Sequence, residues 1–299
     1  NHLSALDPFI MYRAVEVSTH RRIKCRFMMR EGVFRPGSIF KCKLLDLDEI
    51  SQMAGTFLIS REHVQLSQLK PFIKLLRDHE SFIIFPGRTR SRTGLLFEYR
   101  DGIDEPGSVS FFIVQARRGR PDLRIAAVPL VRTVNPMTKV SSLVFGKPWY
   151  LPDDADRAVQ RDFDFSFVAS LGALVEIGVL HLVSLIHYLR CLQNLPEALP
   201  WTELYEAVSA LAAAVRHRHL EPAATKAMER ELERAVRWLA RRGMLTRDGD
   251  TVVAHRNAVL AVPPSLQEYG KCNPVKHLVN QVLHMSDVVS AAERVVLPQ

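Results

Sequence analysis

Ser81-Phe82-Ile83-Ile84-Phe85-Pro86-Gly87-Arg88-Thr89-Arg90-Ser91-Arg92-Thr93-Gly94 opens as an apolar run and turns abruptly basic. Residues 81–85 read as a short buried strand, and Pro86-Gly87 stops it. Arg88, Arg90, Ser91, Arg92 and Thr93 then crowd into a turn that ends at Gly94. Guanidinium groups bind phosphate through a planar fork, and the backbone N–H groups of such a turn add donors. A strand that runs into a dense cationic turn predicts an α/β fold, in which ligands sit beyond the carboxyl ends of strands.

The same pattern recurs upstream. Gly55-Thr56-Phe57-Leu58-Ile59-Ser60-Arg61 is a second short apolar strand, closed by a single arginine. Between the two, Leu66, Leu69, Phe72, Ile73 and Leu76 recur at helical spacing, which predicts a helix over 66–77. Lys24 to Met29 reads as a further strand, and 109–117 as a helix or a strand. The run from Ile125 to Val131 contains Pro129, which marks a strand end or bulge. Strands alternating with amphipathic helices indicate a layered α/β architecture.

At the start of the chain, Asn1-His2-Leu3-Ser4-Ala5-Leu6-Asp7-Pro8 sets a histidine five residues before an acid. Asp-Pro begins a helix well, with Asp as N-cap and Pro in the first turn. Residues five apart point about 140° away from each other on a helix. His2 and Asp7 therefore pair only if His2 lies on a loop before that helix. An imidazole whose second nitrogen meets a carboxylate is held in one tautomer and serves as a general base. The alternative is that Asp7 only caps its helix and His2 is a loop residue. The chain begins with Asn, and sequence upstream of this motif is expected to be missing.

Charge and composition divide the chain. Residues 1–150 hold 24 Lys and Arg against 14 Asp and Glu, whereas 151–299 hold 16 against 18. A basic first half calls for an anionic partner, whether a phosphorylated substrate, an anionic membrane surface or nucleic acid. The Pro- and acid-rich stretch 146–154 marks a boundary, giving domains at 1–150 and 151–299. The second half reads as mostly helical. Helices are expected over 202–216 and 225–242, with Gly243 as a stop and a hairpin around Asp248-Gly249. Helix, helix, hairpin is a winged-helix-like order.

The apolar stretch 163–189 reads as a buried core helix, because Asp164, Glu176, His181 and His187 interrupt it before it reaches the length of a membrane span. His181 and His187 read as core histidines, and His217 and His219 as surface ones. Cys25, Cys42, Cys191 and Cys272 are scattered, with neither a disulfide framework nor zinc spacing. No nucleophile elbow, P-loop or dinucleotide fingerprint is present.

Taken together, these blocks resemble the glycerolipid acyltransferase family. Asn1 to Asp7 is similar to its N-H-x-x-x-x-D motif, 55–61 to its G-x-x-F-I-x-R motif, and 89–94 to the end of its F-P-E-G-T-R-S-R-T-G motif. Val128-Pro129-Leu130 resembles a fourth, V-P-hydrophobic block. The resemblance implies a mixed sheet flanked by helices, with His2 as the base and Asp7 as its partner. Phe57, Arg61, Arg88, Arg90, Ser91 and Arg92 would form the acceptor pocket. It implies acyl transfer from a coenzyme A or acyl carrier protein thioester to the sn-1 hydroxyl of glycerol-3-phosphate, with no metal or bound cofactor.

The arrangement Arg242-Gly243-Met244-Leu245…Asp248-Gly249 and the segment Tyr269…Asn273…His277 look like the C-terminal region of bacterial membrane-associated glycerol-3-phosphate acyltransferases. That similarity implies peripheral attachment to a phospholipid surface at the cytoplasmic face of the membrane. One departure stands out, since Gly87-Arg88 replaces the family's Glu-Gly and reverses the local charge. It leaves open a related acceptor, such as lysophosphatidate or dihydroxyacetone phosphate, or a member that binds lipid without turnover. A nucleic-acid partner fits poorly, because the positive charge lies in the half without the winged-helix-like order.

Overall fold

The computed structural model describes residues 7–23, 25–30, 56–59, 66–86, 92–95, 108–221, 227–266 and 268–297. Helix α1, Asp7–Ser18, leads through a tight reversal into strand β1, Cys25–Arg30. His20 and Arg21 adopt φ of 50° and 62° in that reversal. The helix therefore runs back along the strand it feeds, and the Phe9 ring lies 5.2 Å from that of Phe27. Strands β2, Thr56–Ile59, and β3, Ser81–Ile83, flank β1, and both run parallel to it. Helix α2, Leu66–Arg77, supplies the crossover between them. It buries Phe72, Ile73 and Leu75 and exposes Ser67, Lys70 and Lys74, the face split its sequence predicts.

Residues 109–117, ambiguous in the sequence, form helix α3, Val109–Arg117. The deciding feature is its start. The Ser108 hydroxyl accepts from the Phe111 N–H at 3.0 Å. Distant Asp164 accepts from the Ser110 N–H at 2.8 Å and from its hydroxyl at 2.7 Å. These bonds occupy N–H donors that a helix N-terminus otherwise leaves unsatisfied.

The fold is mixed α/β, and among the described residues its strands form small separate sheets. Beyond the parallel trio lie two short antiparallel pairs, β4 (Ala126–Ala127) with β7 (Trp149–Tyr150), and β5 (Leu130–Val134) with β6 (Ser141–Phe145). Pro129 has no N–H to give to a ladder, so the apolar run 125–131 divides at Val128-Pro129. Its carbonyl still accepts from the Gly146 N–H at 2.8 Å, which carries the β5–β6 pairing one residue further.

The stretch 163–189, expected as one helix, is two. Helix α4, Arg157–Ala173, ends before a break at 174–178, and α5, Val179–Leu192, follows. At the break, the Gly178 N–H donates to His181 Nδ1 at 3.1 Å. The chain then gives β8 (Ala198–Pro200), α6 (Trp201–Ala214), α7 (Met228–Ala240), β9 (Leu245–Asp248) and β10 (Thr251–Ala254). The three strands pair antiparallel in the order β8-β10-β9. Gly243 ends α7 at φ 69° and Gly249 makes the hairpin turn at φ 54°, a backbone region that glycine enters at little cost. Helices α8 (Arg256–Leu260), α9 (Tyr269–Cys272), α10 (Pro274–Asn280) and α11 (Ser286–Val296) complete the described fold.

Two hydrophobic cores result. One is aromatic, built from Phe72, Phe112, Phe163 and Phe167 with Phe82 and Trp149 against them. The other is aliphatic, built from leucines, valines, isoleucines and alanines of α5, α6, α7, α10 and α11. Each core draws residues from both sides of the stretch 146–154. Phe163 and Phe167 of α4 join the first, while Val131 of β5 joins the second.

Candidate active site

The parallel register fixes which edge matters. Arg30 of β1 pairs with Ile59 of β2, and Phe27 pairs with Ile83 of β3, so the three strands finish along one edge of the sheet. Strand β2 ends at Ile59, two positions before Arg61 in the sequence, and the chain after β3 is described as far as Pro86, two positions before Arg88. Helix α1 runs back along β1 and brings Asp7 to the same side. His2, Arg61, Arg88, Arg90 and Ser91 lie outside the described residues.

Asp7 is wholly buried, at 0 % exposure. A buried carboxylate is expensive unless a cation and further donors meet it. Here Arg132 of β5 supplies the cation, its Nη1 donating to Asp7 Oδ1 at 2.6 Å. Ser141 of the paired strand β6 holds the guanidinium from its other side, accepting from Nε at 3.2 Å and Nη2 at 2.9 Å. Sequence reasoning missed Arg132. Its one signal is a lone charge inside the apolar strand Leu-Val-Arg-Thr-Val, just after Val128-Pro129-Leu130.

Phe57 sits on β2 opposite Met28. Its ring packs 4.9 Å from that of Phe72, so it is spent at least partly on the aromatic core. Arg92 is exposed, and the next two residues, Thr93 and Gly94, are buried. The Thr93 carbonyl accepts from Asn280 Nδ2 of α10 at 2.9 Å. The end of the arginine-rich segment is therefore tied to the second half of the chain.

Beside the edge lies an apolar cavity of about 480 Å³. Met11 and Val15 of α1, Phe82 of β3, Phe85, Pro86, Ile113 and Ala127 of β4 are among its walls. Residues of both β3 and β4 line it. Met11, one of its walls, stands one helical turn beyond Asp7 on the same face of α1. Its volume is within the range of small-molecule sites, about 300–1,000 Å³.

Cys25, which also lines the cavity, has its thiol pushed up to about 11 by burial. It stays protonated at neutral pH and supplies no nucleophile. Among the described residues no cluster of three His, Cys, Asp or Glu is suited to a metal ion. His181 and His187 are buried in α5, as their apolar setting in the sequence predicts. His217 is exposed and, with Arg218, donates to Asp287 of α11.

No protein-family model matches the chain, and no curated protein matches it.

Proposed function

We propose that this chain is a glycerolipid acyltransferase that moves a fatty acyl group from a coenzyme A or acyl carrier protein thioester to the sn-1 hydroxyl of glycerol-3-phosphate. The observation that carries this reading is the apolar cavity of about 480 Å³, whose walls include both Met11, one helical turn from Asp7, and Pro86, just before the arginine-rich segment in the sequence. A long acyl chain needs such a dry slot, and its carbonyl needs to emerge where a base and a phosphate site meet.

In this reading His2 takes the proton from the acceptor hydroxyl, and Asp7 steadies the imidazolium that results. The alkoxide oxygen bonds to the thioester carbonyl carbon. The tetrahedral intermediate then collapses, the C–S bond breaks, and the thiolate leaves with the proton held by His2. Arg61, Arg88, Arg90 and Arg92, with Ser91, bind the acceptor phosphate. Arg132 sets the position of Asp7. The reaction needs no metal or bound cofactor.

The order α5-β8-α6-α7-β9-β10, with its β8-β10-β9 sheet, supports a winged-helix-like reading of the second half. We read it as a scaffold and not as a nucleic-acid reader, because the positive charge is concentrated in the first half. Among the described residues no helix is long and apolar enough to cross a membrane. Attachment is read as peripheral, to phospholipid at the cytoplasmic face. Arg88 in place of the family's glycine favours a second reading, a related acceptor or a lipid-binding protein without turnover.

Thiol release from palmitoyl-coenzyme A, measured with and without glycerol-3-phosphate and beside His2→Ala, tests the proposal. Acceptor-dependent release that vanishes in the variant is the expected result. Thioester binding without release, for glycerol-3-phosphate, lysophosphatidate and dihydroxyacetone phosphate alike, would replace it with the non-catalytic reading.

A further inference from the structure

We propose that Asn280 is a positioning residue for Arg92, holding the two residues after it from the far half of the chain. The inference rests on the acceptor site proposed above. Asn280 is only 6 % exposed, and its Nδ2 donates to the Thr93 carbonyl at 2.9 Å across 187 residues of chain. Thr93 is itself 8 % exposed although it follows an exposed arginine. The next residue, Gly94, takes φ 94°, and a Cβ there would overlap the His277 carbonyl oxygen of the same helix. Two consecutive residues are thus seated on α10, one by a hydrogen bond and one by a backbone approach that only glycine permits.

The seat is itself braced. Asn273 is fully buried, and its side-chain oxygen caps α10 by accepting from the Lys276 N–H at 2.8 Å. Its amide donates to the Val259 and Ala261 carbonyls at 2.8 and 2.9 Å. The Tyr269 hydroxyl stands 3.5 Å from Asn280 Nδ2. This buried network holds α10 in place under Thr93 and Gly94. Its effect is to fix where Arg92 leaves the protein body. An exposed arginine on a free loop spreads its charge over many positions, whereas one on a clamped backbone presents its fork to one place.

Asn280→Asp keeps the shape and removes the donor, setting an oxygen against the Thr93 carbonyl. Trypsin reads the clasp directly, because the Arg92–Thr93 bond is protected only while Thr93 is held. The full chain carrying Asn280→Asp should be cut at this bond at least about tenfold faster than wild type, the order expected for one buried hydrogen bond. Its KM for glycerol-3-phosphate should rise about tenfold, with kcat and the KM for the thioester within about twofold of wild type. Gly94→Ala should reproduce both effects from the other side of the contact, and a cooperative melt shows that each variant is folded.

Unchanged cleavage in both variants overturns the clasp. Faster cleavage with an unchanged acceptor KM, or an equal fall in kcat for every substrate, overturns the positioning role. A wild-type protein that transfers no acyl group to any acceptor overturns the proposed function instead, and cleavage alone then decides the clasp.

Discussion

The aromatic core of the first half and the aliphatic core of the second solve different problems. Phenylalanine rings meet edge to face, as Phe72 does with Phe57 at 4.9 Å and Phe82 does with Phe112 at 5.2 Å. Large rigid rings span space with few atoms, and the 480 Å³ cavity opens beside them. Branched aliphatic side chains interdigitate, and the second core buries Leu182, Leu204, Leu211, Leu232 and Leu239 to below 2 % exposure. One region leaves a cavity beside its rings, and the other fills its interior. Each of the following experiments treats the two regions differently.

The largest effect belongs to the first region. His2→Ala should lower acceptor-dependent thiol release by roughly 100- to 10,000-fold, the usual worth of a general base, without moving the melting temperature. A variant that keeps full rate would break the division of labour at its root.

The second region should carry most of the acid sensitivity. His187 is fully buried in α5, neither ring nitrogen has a hydrogen-bond partner among the described residues, and burial pushes its pKa down to about 4. Its folded pKa lies below the unfolded value of about 6.5. The stability tied to its neutral form is therefore complete above pH 6.5 and is lost as pH falls toward 4. The loss amounts to as much as about 3 kcal/mol. Urea titrations at pH 7 and pH 4.5 should show this loss in wild type and a smaller one in His187→Leu. An identical pH dependence in the two proteins would move the acid-sensitive groups elsewhere.

Overpacking sharpens the contrast. Ala235 is fully buried in the aliphatic core, and Ala235→Phe should cost about 1–3 kcal/mol by chemical denaturation. Ala127→Phe places the same added volume in the cavity and should stay within about 1 kcal/mol of wild type. It should also shift thioester preference from palmitoyl to shorter chains. Equal destabilisation by both would show that the cavity is not usable space.

The smallest effect is expected at the surface of the second region. Arg218 and His217 hold the Asp287 carboxylate well below the usual range, with the Arg218 hydrogen bond the larger cause. The site is partly exposed, so Asp287→Asn should cost no more than about 1 kcal/mol. A cost of several kcal/mol would mean that α11 is held by that pair and not by its apolar face.

Local chemistry made much of the fold legible. Helix α2 follows from the spacing of Leu69, Phe72, Ile73 and Leu76, and Gly243 and Gly249 mark the end of α7 and its following hairpin. Short strands were found, but their pairing was not, because the break at Pro129 and the cavity beside β3 depend on what packs between elements. The break between α4 and α5 was missed because 174–178 is as apolar as the helices it separates. At the candidate site, the sequence offered Asp7 and the arginines but neither Arg132 nor Asn280. Those two act across 125 and 187 residues, and no periodicity or turn signal reaches so far.

Helix α4 gives Phe163 and Phe167 to one core and Leu171 to the other. A ribosome delivers Asp7 and the arginine-rich segment well before it delivers this helix. The nascent first half thus emerges with its aromatic cluster open on one side, and it closes only once residues well past 150 have left the exit tunnel. Severing the chain at the apparent boundary would reproduce that unfinished state permanently, and the freed first half would expose its phenylalanines to whatever chaperone or aggregate is nearest.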